Sequence, residues 1–167
     1  MYETAFNATP TPNLFQVNEH CNVGRDYPSI DDQGSFESLV RTVLFHGDTM
    51  KGVMELEMAG PNQWTQPDQL IVGHPFSLTG DQEQLHMGLW AMMASPLFMS
   101  ADIRNIGRTS RSVLQNKLLL SIDQDPLGVP GRMVYMRCNV SVWLRFLSGR
   151  RFAVAAADLG SLKTFQQ

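Results

Sequence analysis

Glu83-Gln84-Leu85-His86 carries the Glu-x-x-His spacing that di-iron bundles use, with both ligands on one helix face. A bundle needs a second such copy and further glutamates, and the sequence offers neither. His20, His46 and His74 lack metal-ligand spacing, and no glycine loop of the phosphate-cradling kind is present. No metal and no cofactor is therefore expected. Arg25 is followed closely by acids; its guanidinium is a rigid fork of donors, and a salt bridge to a nearby acid is one reading of it. Asp26 adjoins it, and Asp31 and Asp32 follow. The latter two read as acids at a helix N-terminus, where the helix dipole favours them.

The rest of the composition narrows the field. With 43% hydrophobic and 17% charged residues, the 167-residue chain can build a packed core. Its 13 basic and 16 acidic side chains give a net charge of -3, which leaves no footprint for nucleic acid or an anionic membrane. Arg104, Arg108, Arg111 and Lys117 are expected on a solvated helix face. The longest apolar stretch, Met87 to Met99, is broken by Ser95 and Pro96 and falls short of the roughly 18 residues a spanning helix needs. Met1-Tyr2-Glu3-Thr4 has no signal-peptide character, so the chain as written is expected to be soluble and to stay outside the secretory pathway. The sequons Asn7-Ala8-Thr9 and Asn139-Val140-Ser141 point weakly the other way. Whether Cys21 and Cys138 pair is not decided by sequence.

These side chains need elements to place them. Residues 1–19 read as irregular, with Pro10 and Pro12 marking loop or extended chain. A short strand is expected near His20 to Val23. Ser35 then caps a helix with Phe36, Leu39, Val40, Val43 and Leu44 inward and Ser38 outward, ending at His46-Gly47. A strand follows at Gln69 to Gly73, then a helix capped by Thr79 or Asp81 with Leu85, Leu89, Met92 and Met93 on one face. A buried strand at Pro96 to Met99 and a helix from about Ser110 to Leu119, with Val113 and Leu114 inward, complete the series. Strands alternating with helices argue for an α/β fold with parallel βαβ units. Three units do not close a barrel of about 250 residues. Beyond Gly128-Val129-Pro130-Gly131, Met133 to Met136, Val140 to Leu144 and Phe152 to Ala155 read as strands of an antiparallel sheet, the last two joined at Ser148-Gly149-Arg150.

Trp64-Thr65-Gln66-Pro67-Asp68-Gln69-Leu70-Ile71-Val72-Gly73 resembles the Trp-Asn-Asp-Pro-Asp-Met-Leu-x-x-Gly segment of glycoside hydrolase family 27. Leu89 to Arg104 resembles that family's last barrel helix and strand, and Ile122-Asp123-Gln124-Asp125-Pro126-Leu127-Gly128 its Asn-Gln-Asp-Pro-Leu-Gly exit from the barrel. Cys21-Asn22-Val23-Gly24-Arg25-Asp26-Tyr27 with Ile30-Asp31-Asp32 is similar to its sixth-strand segment. The matches run from Cys21 to Gly131 in order. Phe6-Asn7-Ala8-Thr9 resembles the helix before strand five.

The resemblance implies a partial (β/α)8 barrel, strands six to eight, followed by the start of an antiparallel β-domain. The expected division is 1–19 irregular, 20–128 barrel and 129–167 β-domain. It implies retaining hydrolysis of terminal α-linked galactose or N-acetylgalactosamine from glycans or glycolipids, with such glycans as partners. A homodimer and a lysosomal or secreted setting are family properties it also brings. Retaining glycosidases use two carboxyl groups about 5 Å apart. The family nucleophile lies on strand four, which no residue here matches. The acid/base position, four residues after Arg25, is Ser29, and a serine hydroxyl does not replace a carboxylic acid near neutral pH. The chain is therefore expected to be inactive alone. Arg25, Asp68 and Gln69 match sugar-contacting positions, Gln69 replacing a methionine, while Thr65 and Gln66 replace an asparagine and an aspartate. Cys21 matches a cysteine whose partner is missing, so it is expected as a free thiol. The alternative is a non-catalytic carbohydrate-binding or interaction piece, in which Arg25, Asp68 and an exposed Trp64 touch the sugar.

Overall fold

The computed structural model describes residues 2–3, 20–25, 30, 34–55, 59–75 and 77–160. It is a mixed α/β structure with two three-stranded sheets, the first parallel and the second antiparallel. The elements in chain order are β1 (Tyr2–Glu3), β2 (Val23–Arg25), α1 (Phe36–Glu55), β3 (Trp64–Thr65), α2 (Gly80–Met93), α3 (Arg108–Leu114), α4 (Lys117–Asp123), β4 (Arg132–Arg137), β5 (Val140–Leu147) and β6 (Arg151–Asp158).

In the parallel sheet β2 lies between β1 and β3, with Tyr2 opposite Gly24 and Val23 opposite Trp64. Tyr2–Glu3 is thus a strand inside the segment expected to be irregular; the remainder of 1–19 lies outside the described residues. The strand expected at Gln69 to Gly73 sits earlier, at Trp64–Thr65. Of the expected run only Leu70 pairs, in a parallel bridge to Met99. Leu70, Ile71 and Val72 are buried, but the chain turns at Val72-Gly73, which the apolar run alone does not distinguish from a strand. Residues 96–99 are likewise not a buried strand: Phe98 and Met99 are 43% and 39% exposed.

The helices depart from expectation for local reasons. α1 runs on through Gly47 and Gly52 to Glu55, since an interior glycine costs only about 1 kcal/mol. Ser38 is buried, its hydroxyl donating back to the Ser35 carbonyl at 2.9 Å. Thr79 caps α2 with a full capping box, its oxygen accepting from Gln82 N while the Gln82 side chain accepts from Thr79 N. The single helix expected over 110–119 is two, because Asn116 restarts the chain by accepting from Leu118 N and Leu119 N.

One hydrophobic core packs the helices against the antiparallel sheet. Leu39, Val40 and Val43 of α1, Met87, Trp90 and Met93 of α2, and Trp143 and Leu159 from the antiparallel region are all fully buried. Arg145 of β5 is buried among them, where its guanidinium donates to the carbonyls of Val129, Ala91 and Asp123. Asp125 sits below it, accepting from Leu127 N, Ser148 N, Ser148 Oγ and Arg151 Nη2. Gly131 passes so close that an added Cβ would lie 2.7 Å from the Met92 carbonyl oxygen, which only glycine avoids. On the outward side of the antiparallel sheet, Phe146 and Phe152 face each other across β5 and β6.

Candidate functional site

The parallel strands run from Val23 to Arg25 and from Trp64 to Thr65, so Arg25 and the residues after Thr65 share the carboxyl end of the sheet. That is the end at which parallel α/β folds bind ligands. Backbone hydrogen bonds from Trp64 N to Asn22 O (2.8 Å) and Gln66 N to Gly24 O (2.9 Å) lock the two strands in this register.

Asp68 lies three residues beyond β3 and is buried. Its carboxylate accepts from Ile30 N at 2.6 Å and from Gln69 N at 2.7 Å. The first bond crosses from the segment after β3 to the segment after β2. The Asp68 carbonyl accepts from Trp90 Nε1 at 2.9 Å, fixing the same residue to α2. Gln69, next in sequence, is exposed at this end. Arg25 is placed by its backbone in β2, and Ser29, Asp26, Asp31 and Asp32 lie outside the described residues. The structure therefore brings Asp68, Gln69 and the Arg25 backbone to one end.

Trp64 does not join them. It is half-buried at the amino end of β3, against Gly128 and Pro61. Gln66, which by resemblance replaces an aspartate, has a further property visible only in the fold. It is fully buried, and its side-chain amide N and O have no hydrogen-bond partner among the described residues. Its signal in the sequence was the loss of a carboxylate between Thr65 and Asp68. A buried amide left unpaired is costly, so Gln66 is polar capacity held at the site end.

Other polar groups are structural. Glu83 accepts from Gly73 N at 2.7 Å and Ser110 Oγ at 3.0 Å, pinning α2 to its neighbours, while His86 is buried edge-on to Trp90. Burial holds the His86 imidazole down to about 3, so it is neutral at physiological pH. Among the described residues no group of three or more His, Cys, Asp or Glu is arranged to hold a metal ion. Arg104 pairs in the open with Asp102, and Cys21 and Cys138 are both free thiols, as expected for Cys21.

A cavity of about 490 Å³ opens at the other end of the strands. Trp64, Pro61, Pro96, Ser95 and Asp123 line it. Burial pushes the Asp123 carboxyl up to about 7, against the downward pull of the Arg145 guanidinium. It is separate from the carboxyl-end site.

The family profile described as alpha galactosidase A matches residues 2–125. Human alpha-galactosidase A is 39% identical over 145 residues, covering 86% of this chain and 32% of the relative. Mouse alpha-N-acetylgalactosaminidase is 36% identical over 147 residues, covering 87% and 34%. A solved structure described as an alpha-galactosidase/melibiase of Bacteroides fragilis superposes with a TM-score of 0.73 at 26% identity, covering 83% of this chain and 31% of its own. The chain spans about a third of the length of the relatives it matches.

Proposed function

The chain belongs to the alpha galactosidase A family, glycoside hydrolase family 27, and on that premise we propose that it forms one side of a site for terminal α-linked galactose or N-acetylgalactosamine. In this reading β2, β3 and the stretch leading to Met99 are an arc of a (β/α)8 barrel, and β4 to β6 open its antiparallel β-domain. Arg25 donates its planar guanidinium to sugar hydroxyls, Asp68 accepts from them, and Gln69 borders the ring. The observation that carries the reading is the Asp68 carboxylate, fixed at the carboxyl end by Ile30 N so that the segments after β2 and β3 serve one face.

The 167 residues bind the sugar without cleaving it. Retaining hydrolysis needs a nucleophile and an acid about 5 Å apart; Ser29 takes the acid/base position and no residue matches the nucleophile segment. Trp90 is a built-in reporter, because its indole N–H holds the Asp68 carbonyl. Galactose or N-acetylgalactosamine is expected to perturb tryptophan fluorescence in a saturable way, with Arg25→Ala weakening the response. The same protein is expected to leave p-nitrophenyl α-galactoside intact. A flat titration with both sugars sinks the binding claim, and turnover lost on changing Asp26, Asp31 or Asp32 sinks the claim of inactivity.

A further inference from the structure

The cavity at the amino ends of the strands is built unlike a void. Its wall combines an aromatic face, Trp64, and the prolines Pro61 and Pro96 with two polar atoms that have no hydrogen-bond partner among the described residues. One is Ser95 Oγ, on a residue 1% exposed; the other is Asp123 Oδ1. Buried acceptors left unpaired are costly, more so when charged, so a site with two of them gains from a donor. The nearest cation does not meet that need. Arg145 is committed to three carbonyls, including Asp123's own, and Asp123 makes no ion pair among the described residues. Asp125, also on the wall, is already occupied by Ser148 and Arg151. Among the described residues no lysine or arginine lines the cavity.

We propose that this cavity binds a small organic ammonium ion, whose N–H groups donate to Asp123 Oδ1 and Ser95 Oγ while its apolar part lies against Trp64. An ammonium supplies three donors and no acceptor, matching the two unpaired oxygens of the wall. The indole face adds cation–π attraction. The volume of about 490 Å³ falls within the range of small-molecule sites. The proposal is independent of sugar binding at the opposite strand ends.

A proton competes with the ammonium for Asp123, whose carboxyl is pushed up to about 7. The charged groups around it are Asp125 just past the end of α4, whose carboxyl is held below its usual range by hydrogen bonds from Ser148 and Leu127, Arg145 from β5 and Arg151 from β6. Binding of the cation therefore strengthens as pH rises through that value.

The test uses the full chain and benzylammonium, followed by ligand-observed NMR and tryptophan fluorescence, with benzyl alcohol as the neutral match. Saturable benzylammonium binding is expected, at least tenfold weaker in Asp123→Asn and several-fold weaker in Ser95→Ala. Benzyl alcohol is expected to bind both variants and the parent alike. Asp123→Asn keeps the side-chain shape and Ser95→Ala only trims it; circular dichroism identifies either variant if it is unfolded, and the pH series on the parent then decides. No saturable binding overturns the proposal. So does equal affinity in folded Asp123→Asn, or an affinity that does not rise between about pH 6 and pH 8.

Discussion

Arg145 reaches from the antiparallel sheet to the Ala91 carbonyl at the end of α2, so a strand side chain completes the hydrogen bonding of a helix terminus. The same guanidinium also satisfies Val129 and Asp123 carbonyls. Its burial is offset by this set of partners and by the carboxylates nearby.

Arg145→Ala leaves three buried or half-buried carbonyls short of a donor and opens a void. Unfolding free energy is expected to fall by about 3–5 kcal/mol. Urea denaturation followed by circular dichroism measures it. Arg145→Lys recovers only part of the loss, since an ammonium does not span three carbonyls in one plane.

Asp123 gives the stability a definite pH dependence. Its folded carboxyl is raised from 3.8 to about 7, so between those values the native state holds a proton that the unfolded chain has released. The contribution is full below about pH 4 and is lost as pH rises through about 7. Urea midpoints across that window are expected to fall for the parent chain, with Asp123→Asn removing much of the slope.

Asp68→Ala removes the acceptor for Ile30 N and Gln69 N. It is expected to lower stability by about 1–3 kcal/mol and to raise hydrogen exchange at the Ile30 amide. Exchange unchanged at Ile30 would show that the bond does not hold the two strand ends together.

Gly131→Ala tests the junction sterically. The new methyl would meet the Met92 oxygen at 2.7 Å and Arg145 Cβ at 2.9 Å, neither at the end of a flexible side chain. A loss of about 1–3 kcal/mol is expected, read as a lower thermal midpoint. Thr79→Ala, removing one half of a capping box, costs about 1 kcal/mol by the same measurement.

How much of this was legible in the sequence depended on whether a local rule decided it. Thr79 with Gln82 is a cap readable from spacing, and the β5–β6 hairpin follows from alternating apolar residues around Ser148-Gly149-Arg150. The break at Asn116 was hidden because Val113, Leu114, Leu118 and Leu119 continue an apolar run across it. Burial of Leu70 to Val72 was readable, but its form was not, since a strand depends on a neighbour far away in sequence. The site end followed the same division. Asp68 was found from its segment, whereas the burial of Gln66 and the placing of Trp64 at the opposite strand end required the assembled sheet.

Asp125 has a consequence in time as well as in structure. Its carboxylate lies just past α4, yet it is bonded to Ser148 and Arg151, at the very bend that sets the β5–β6 register. In the folded state the hairpin's bend and the end of α4 are thus tied through one side chain. Stopped-flow refolding followed by tryptophan fluorescence and by helical ellipticity is expected to yield one shared relaxation, which Asp125→Ala would split into a fast helical phase and a slower strand phase.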